Sequence, residues 1–289
     1  MFRALLAFAT ASAIGIESSK MITAAAALEL LHGASLIHDD IVDGAAERRC
    51  RPALHVQMGI GPALIFGDYL ILRAFTVLRE AHHIHGPERV REASHALNSY
   101  AQLCCLGELH ELMPTSEGNP EDEYVAIVEG KTASQFAAAV TLPAILGGGT
   151  SREIEALRTY GFNVGIAFQI QDDVLDMVGD TGLLGGPTGT SQLKERLLLP
   201  EIYLKRYGSP TALQRYCRIQ QAEADRRNQL TALLNEEGIL DRITATQNQY
   251  VTAALQALDC IRRPDELAVL SALAIYAVKH HTQLPYNPN

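Results

Sequence analysis

Segments rich in alanine and leucine alternate along the chain with short polar stretches that contain glycine or proline. Alanine, leucine, glutamate, glutamine and arginine favour helices, whereas the β-branched runs that favour strands are sparse. Glycine and proline clusters at 59–61, 86–87 and 147–149 are typical of connections between helices. The pattern predicts an all-α fold with helical segments at 4–38, 60–82, 90–113, 122–146, 152–178, 193–206, 210–234 and 238–282.

The stretch 160–170 departs from this pattern because its larger apolar residues fall on every second position. Such alternation is typical of a strand. A helix buried on most of its sides would show the same string of residues, with Gly161, Gly165 and Ala167 permitting close approach of a neighbour. Periodicity alone leaves both interpretations open.

Composition and charge narrow the class of protein. The 289 residues are 47% hydrophobic and 20% charged, as in soluble globular proteins. No linker divides them, so we expect one domain over 1–289, with 114–123 and 179–189 as loops within it. A net charge of −9 argues against a broad nucleic-acid-binding face. Five cysteines without a CxxC pair predict reduced thiols and a cytoplasmic protein.

The beginning of the chain allows two interpretations. Arg3 followed by the apolar run 4–16 resembles a secretory signal. We favour a buried helix of the folded domain, continuing through 18–27, because the thiols and the chemistry described below suit the cytoplasm. The run is also shorter than the ~20 residues that a membrane-spanning helix needs, so no transmembrane segment is expected.

Two aspartate-rich motifs carry the main chemical signal. The stretches DDIVD at 39–43 and DDVLD at 172–176 both read DDxxD and use six of the 13 aspartates in the chain. On a helix the first and last aspartate of such a motif share one face, and their carboxylates repel each other. Magnesium resolves this conflict, because it prefers oxygen ligands and bridges carboxylates to substrate phosphates. The pair of motifs predicts a magnesium site around a diphosphate.

The alternative is that each motif is a solvated acidic turn, or a helix start favoured by the helix dipole. Both motifs, however, directly follow apolar residues, at 34–37 and 166–168. A charged face that opens from an apolar wall is typical of a site at the mouth of an apolar cavity.

Cationic residues follow the first motif at Arg48, Arg49 and Arg51, where its helix should end. Arginine offers planar, paired donors that suit phosphate oxygens. Next to a carboxylate–magnesium motif, these arginines favour phosphate binding over ordinary surface charge. Lys131 and Gln169 would be unremarkable alone, as a surface lysine and an amide beside a core aromatic residue.

These motifs resemble those of the trans-prenyltransferases, the polyprenyl diphosphate synthases. LIHDDIVD at 36–43 with RRCRPALH at 48–55 is similar to the family's first aspartate-rich region, and FQIQDDVLD at 168–176 to the second. GDYL at 67–70, GE at 107–108 and GKTA at 130–133 follow the family's order, so the resemblance covers essentially the whole chain.

The resemblance implies a bundle of antiparallel helices around a central cavity, usually in a homodimer, that condenses isopentenyl diphosphate with an allylic diphosphate. The family mechanism is ionisation of the allylic diphosphate, attack by the isopentenyl double bond and loss of a proton. The implied magnesium ligands are Asp39, Asp43 and Asp172, and the implied catalytic residues are Asp39, Asp40, Asp43, Asp172 and Lys131. The implied substrate-binding residues are Arg48, Arg49, Lys131, Thr132, Gln169, Asp173, Asp176 and His55.

Departures from the family pattern are expected to weaken the binding of isopentenyl diphosphate. The family's Gly-Lys-Arg element would precede the stretch that begins at Met1, and Arg3 is all of it that this sequence is expected to retain. The stretch 186–191 resembles a Lys-Pro-x-Gly-x-Asp element without its lysine, replaced by Gly186, and without its aspartate. Lys194 or Arg196 could replace the missing charge. In addition, Cys50 and Glu111 occupy positions where glycine and glutamine are common.

Two other functions compete with a catalytic synthase. A weakly active or regulatory subunit of a heteromeric prenyltransferase would explain the missing lysines, but it would not need two intact motifs. A class I terpene cyclase shares one aspartate motif, yet usually carries a different second metal motif.

Product length depends on the wall beneath the first motif. Ala34 and Ser35 lie about one helical turn before Asp39 and are small, so the cavity should admit a tail longer than farnesyl. Close packing of helices is the alternative reason for small residues here. Phe66 or Phe75 could block the tail deeper down.

Overall fold

The computed structural model describes residues 2–114, 118–178, 196–221, 225–261 and 264–279, and these are overwhelmingly helical. In chain order its helices are α1 (Phe2–Ala13), α2 (Ile22–Val42), α3 (Leu54–Met58), α4 (Ile60–Glu80), α5 (His82–His85), α6 (Pro87–Leu112), α7 (Pro120–Val128), α8 (Ser134–Gly147), α9 (Ser151–Val178), α10 (Leu199–Tyr207), α11 (Pro210–Gln220), α12 (Arg226–Glu236), α13 (Ile239–Ala257) and α14 (Pro264–Lys279). A π-helical turn, Glu129–Ala133, joins α7 to α8, and 3-10 turns occupy Ser18–Met21 and Leu258–Cys260. Strands β1 (Glu47–Arg48) and β2 (Arg51–Pro52) form one short antiparallel pair.

Helix α8 is the central helix of the bundle. Its residues from Ser134 to Leu146 are almost all buried, as expected for a helix that is apolar on every side. Helices α1, α2, α6 and α9 pack around it. A second apolar cluster lies on the other side of α9, against α7, α10, α12 and α13. The all-α fold predicted from the sequence is therefore confirmed.

The stretch 160–170 is helical and lies inside α9. A Cβ atom on Gly161 would lie 2.6 Å from the Cα of Ala137, and one on Gly165 would lie 2.5 Å from the Cα of Ala133. Glycine is therefore required for α9 to approach α8 this closely. The strand-like alternation arises because α9 is buried between two apolar clusters.

The predicted segment 4–38 is two helices instead of one, so the expected continuation through 18–27 is wrong. Helix α1 ends in a Schellman motif, with Gly15 at a φ of 79°, and the amide of Ile16 donates to the carbonyl of Ala11. Its inner face belongs to the core, with Leu6 fully buried. The segments 210–234 and 238–282 are also interrupted, the latter before Pro264, which begins α14.

Two helical spans, Ser18–Val42 and Ile60–His85, are long and apolar enough to cross a membrane when length and composition alone are considered. Core helices of water-soluble proteins pass the same test. The first of these spans contains α2, which packs against both α8 and α4 within the bundle.

Candidate active site

The first aspartate motif forms the end of α2. Asp39 and Asp40 lie in its last turn, and Asp43 follows as the capping residue. Asp40 is buried, whereas Asp39 and Asp43 are half-buried. The first motif is therefore helical up to its last residue, as the sequence predicted, and its middle carboxylate is the buried one.

A tight hairpin returns Arg48 to this motif. Strands β1 and β2 pair Arg48 with Arg51, and the two turn residues, Arg49 and Cys50, both have positive φ angles of 53° and 58°. Such a turn favours glycine, so Cys50 stands at a position where the backbone itself would prefer glycine. The Nε atom of Arg48 donates to Asp40 at 2.6 Å, and its Nη2 atom lies 3.2 Å from Asp39.

Two further predicted binding residues lie close to the hairpin. Arg49 is exposed at its tip. His55 lies in α3 and is half-buried.

Lys131 is the centre of an ion-pair network and is only one-fifth exposed. Its Nζ atom lies 3.0 Å from Asp39, 2.7 Å from Glu108 and 2.6 Å from Glu111. The interpretation as an ordinary surface lysine is therefore wrong. Glu108 and Glu111, on α6, join the site although neither was predicted as a site residue.

Close backbone packing holds Lys131 in this position. A Cβ atom on Gly107 would lie 2.3 Å from the amide nitrogen of Lys131, and one on Gly130 would lie 2.7 Å from the Cα of Gly107. Helix α6 and the π-helical turn therefore meet with no side chain between them. This contact explains why Gly107 and Gly130 accompany Glu108 and Lys131 in the sequence.

Arg196 completes the network from the segment that precedes α10. It pairs with Asp43, and its guanidinium lies 3.9 Å from Asp39 and 3.6 Å from Glu111. The charge that the sequence suggested as a replacement is thus present beside the first motif. The other candidate, Lys194, lies outside the described residues, as does the stretch 186–191.

Burial and ion pairing act in opposite directions on these groups. Burial alone would raise the pKa of Asp39, but Lys131 and then Arg196 and Arg48 outweigh it and hold the pKa below its usual value. Burial would likewise lower the pKa of Lys131, yet Asp39 and Glu111 raise it. The two groups are therefore charged at neutral pH.

The second motif lies at the end of α9, where Asp173 is buried and Asp172 and Asp176 are half-buried. The hydroxyl of Thr132 donates to Gln169 at 2.7 Å, and the amide of Gln169 donates to Asp173 at 2.9 Å. Burial raises the pKa of Asp173 to about 7. The π-helical turn thus bridges the motifs, since Lys131 contacts the first and Thr132 is linked to the second.

The atoms that the two aspartate motifs offer to a metal are carboxylate oxygens, which suit a hard divalent cation. A cation already fits between the first and last aspartate of the first motif, where the guanidinium of Arg196 approaches both Asp39 and Asp43. Within the described ranges, no three Asp, Glu, His or Cys side chains converge as a ready-made metal cluster. The carboxylates of the first motif are instead neutralised by arginine and lysine.

The wall beneath the first motif contains the residues predicted to influence product length. Ala34 is fully buried, and Ser35 is half-buried with its hydroxyl donating to the carbonyl of His32 at 2.9 Å. Phe66, 42% exposed on α4, faces solvent and is not a block inside the bundle. Phe75 is half-buried beside the core.

The bundle and its paired aspartate motifs define an all-helical enzyme of the isoprenoid synthase type. The family model for polyprenyl synthetase matches residues 1–236. Geranylgeranyl diphosphate synthase of Methanosarcina mazei is 32% identical over 269 residues, covering 93% of this chain and 82% of that protein. The chain therefore belongs to the polyprenyl synthetase family and is a prenyltransferase, a trans-prenyl diphosphate synthase.

Solved structures agree with this assignment. A polyprenyl synthase from Caulobacter crescentus, complexed with calcium and isoprenyl diphosphate, matches with a TM-score of 0.85 and 32% identity, covering 96% of this chain and 84% of that one. A geranylgeranyl pyrophosphate synthase from Corynebacterium glutamicum, complexed with isoprenyl diphosphate and magnesium, matches with a TM-score of 0.84 and 25% identity, covering 96% and 86%.

Proposed function

We propose that this chain, as a single domain, condenses isopentenyl diphosphate with an allylic diphosphate and releases an all-trans product longer than farnesyl. The observation that carries the proposal is the bridge from Asp39 through Lys131 and Thr132 to Gln169 and Asp173, which joins both aspartate motifs to one cationic centre. Relatives named geranylgeranyl diphosphate synthases support the product length.

Magnesium is the proposed metal, held by Asp39, Asp43 and Asp172, and when bound it would neutralise charge on the leaving diphosphate. Asp40, Asp173 and Asp176 are proposed to support these ligands or their waters. Asp40 is already oriented, because Arg48 holds its carboxylate.

The cations around the first motif are proposed to bind the allylic diphosphate. Arg48 and Lys131 present guanidinium and ammonium donors next to Asp39, and Arg196 supplies a third positive charge. Fixed donors of this kind stabilise charge that develops on a leaving group. Thr132 and Gln169 would orient the diphosphate, whereas Arg49 and His55 would bind isopentenyl diphosphate on the exposed side.

Apolar walls are proposed to protect the carbocation and to receive the growing tail. Helix α8 lies beneath the site, and its buried aliphatic and aromatic side chains would exclude water. Small side chains at Ala34 and Ser35 leave room for the tail below the diphosphate. We propose a cytoplasmic location, because exposed free thiols such as those of Cys50, Cys105 and Cys217 suit a reducing compartment.

Turnover of labelled isopentenyl diphosphate with allylic primers of several lengths tests this function against its rivals. A synthase incorporates label into linear diphosphates, whereas a cyclase consumes the primer without incorporating label. A regulatory subunit shows no incorporation by itself but does so when a catalytic partner is added. Failure of the purified chain to incorporate label with any primer would contradict the proposal.

We further propose that the chain is a homodimer. Helices α4 and α6 are in contact and expose large apolar side chains, including Leu72 at 69%, Leu106 at 61% and Leu109 at 52%. Apolar surface of this extent is typical of an interface. Sedimentation equilibrium should give twice the chain mass for the wild type, and Leu106→Glu should lower it. The exposed Leu5→Glu, on α1, is the control, and a monomeric wild type would contradict the proposal.

A further inference from the structure

The π-helical turn before α8 accepts hydrogen bonds from side chains at two successive carbonyl groups. A π-helical turn bonds residues that are five apart, so the regular ladder of bonds between residues four apart is interrupted there. The hydroxyl of Ser134 donates to the carbonyl of Gly130. The side-chain amide of Gln135 donates to the carbonyl of Lys131 at 3.1 Å. The thiol of Cys104, on α6, donates to that second carbonyl from 3.4 Å.

Gln135, Cys104 and the carbonyl of Lys131 form a closed triangle. The Nε2 atom of Gln135 lies 3.3 Å from the Sγ atom of Cys104, in addition to its bond to the carbonyl. Because a carbonyl oxygen only accepts, the amide of Gln135 must turn its nitrogen toward Lys131. Burial raises the pKa of the Cys104 thiol, which therefore keeps its proton and can donate. Both side chains thus serve as donors to one oxygen.

Gln135 is the only side-chain amide in α8, and this helix carries no charged residue. Ser134 and Thr141 aside, the rest of the helix is apolar and almost entirely buried. Placing an amide in such surroundings costs free energy unless its polar groups are paired. An aliphatic residue would fill the same space without that cost. We therefore expect Gln135 to serve a purpose other than packing.

The main chain of Lys131 is held on both sides. Its amide nitrogen packs against Gly107, where an added Cβ atom would lie only 2.3 Å away, and its carbonyl is bonded to the triangle. Cys104, Gly107 and Glu108 lie within two turns of α6, and Glu108 is 2.7 Å from the ammonium of Lys131. One helix therefore contacts the amide, the carbonyl and the charged end of Lys131. With its main chain fixed, the direction in which its side chain leaves is fixed as well.

We propose that Gln135 and Cys104 are positioning residues that aim the side chain of Lys131 at the first aspartate motif. This inference rests on the proposed function, in which Lys131 binds the allylic diphosphate, and deepens it. Neither Gln135 nor Cys104 has to touch the diphosphate. Lysine carries its charge on a flexible stem of four carbons, so a fixed origin reduces the positions that the ammonium can take. Fixed charges stabilise a leaving group better than charges that must reorganise.

NMR of the ligand-free protein tests the positioning without substrate or metal. The chain has five lysines, and the protein is labelled with ¹⁵N-lysine. The ammonium of Lys131 has three carboxylate partners, so its protons should exchange slowly enough with water to give a signal, which Lys131→Arg identifies by removing it. Gln135→Met keeps the length of the side chain but removes its donor, so the signal should shift or broaden. An unchanged signal overturns the proposal.

Binding of inorganic diphosphate in the presence of magnesium, followed by calorimetry, measures the functional effect. Gln135→Met should weaken this affinity roughly three- to tenfold, as expected for the loss of one hydrogen bond. In a Lys131→Met background the same substitution should have no further effect, because it acts only through the lysine. A purely structural role would give the same additional loss in both backgrounds, and that result would overturn the proposal.

Conservative replacements and matched controls complete the test. Gln135→Glu keeps the shape of the side chain but offers the carbonyl of Lys131 only acceptors, so it should weaken binding at least as much as Gln135→Met. Cys104→Ser retains a donor and should keep more affinity than Cys104→Ala, which also tests the triangle from α6 if a Gln135 variant fails to fold. Gln214→Met and Cys217→Ala, at exposed positions on α11, should behave as the wild type.

The outcomes separate the positioning role from the proposed function. If the wild type binds no diphosphate with magnesium, the proposed function fails, whereas the lysine signal still tests the positioning. If the wild type binds but Gln135→Met and Cys104→Ala change neither the signal nor the affinity, the positioning role fails and the synthase function stands. A change in only one of the two measurements also overturns the role. A changed signal together with weaker binding, absent from the controls, supports it.

Discussion

The Nζ atom of Lys131 lies 3.0 Å from Oδ1 of Asp39, so the π-helical turn before α8 is tied to the end of α2. The neighbouring Thr132 is hydrogen-bonded to Gln169 on α9. Two consecutive residues therefore connect the two aspartate motifs. An α-helical turn is widened by one residue in a π-helix, and such turns occur often at functional sites.

Removing a motif carboxylate should abolish turnover while leaving the fold intact. In Asp39→Asn the ammonium of Lys131 keeps Glu108 and Glu111 as partners, so the melting temperature should change little. Turnover should fall by a factor on the order of 10² or more, because the metal that would stabilise the transition state loses a carboxylate ligand. Asp172→Asn should behave alike. Asp241→Asn, at an exposed position on α13, is the control, and near-normal magnesium-dependent activity in Asp39→Asn would refute the metal assignment.

Adding a methyl group at Gly107 should displace Lys131. The new Cβ atom would meet the amide nitrogen of Lys131 at 2.3 Å, so the helix and the π-helical turn must move apart. We expect a loss of about 1–3 kcal/mol in the free energy of unfolding, together with a strong loss of activity. Gly61→Ala, which has nothing within 4 Å of its new Cβ, should be nearly silent in both denaturant unfolding and turnover. Equal effects in the two variants would argue against the packing explanation.

Cys50→Gly should stabilise the hairpin that carries Arg48. The φ of Cys50 is 58°, a conformation that costs an ordinary L-residue roughly 1–2 kcal/mol relative to glycine. Greater freedom of glycine in the unfolded chain offsets part of this gain. The net increase in unfolding free energy should therefore be below ~1 kcal/mol, measured with denaturant. Cys50→Ala removes the thiol but keeps the Cβ atom, so it should give no such increase.

Ser35→Phe should shift the products toward shorter chains while the first condensation still proceeds. The half-buried Ser35 lies one turn below Asp39, so an aromatic ring there would narrow the path of the tail. Chromatography of the products measures the shift. Thr244→Phe, at an exposed position on α13, controls for added bulk. An unchanged product distribution would show that the tail does not pass this wall.

His32 should make the folded state sensitive to acid. Its pKa is about 3 in the folded protein, lowered by burial and by the charges of Arg3 and Arg49, and ~6.5 when unfolded. The unfolded chain therefore binds an extra proton as pH falls from ~6.5 toward 3, and stability is lost over that range. Unfolding free energies of His32→Gln should decline less steeply between these pH values than those of the wild type. A parallel decline would contradict the assigned shift, and His95→Gln is the control.

The sequence was sufficient for features that depend on local pattern. The apolar periodicity predicted the helices, and the motifs at 39–43 and 172–176 lie on helices as the interpretation of their spacing assumed. The break at Gly15 could have been inferred from its glycine and the polar residues that follow. The alternation at 160–170 could not be resolved, because burial of α9 on several sides removes the polar face that reveals a helix.

The sequence alone did not predict the contacts in the site between residues that are far apart in the chain. Glu108 and Glu111 lie on α6, which packs against Lys131 through Gly107 and Gly130, and Arg196 comes from the segment before α10. The pairing of Arg3 with His32 likewise depends on how α1 lies against α2. No local pattern encodes such distances.

Mass spectrometry of the products formed by the purified wild-type chain tests the central claim most directly. The chain is incubated with isopentenyl diphosphate, farnesyl diphosphate and magnesium, in parallel with a sample containing a chelator. We expect linear diphosphates longer than farnesyl that are absent from the chelated sample. Unchanged substrates in both samples, or a cyclic hydrocarbon in place of linear diphosphates, would contradict it.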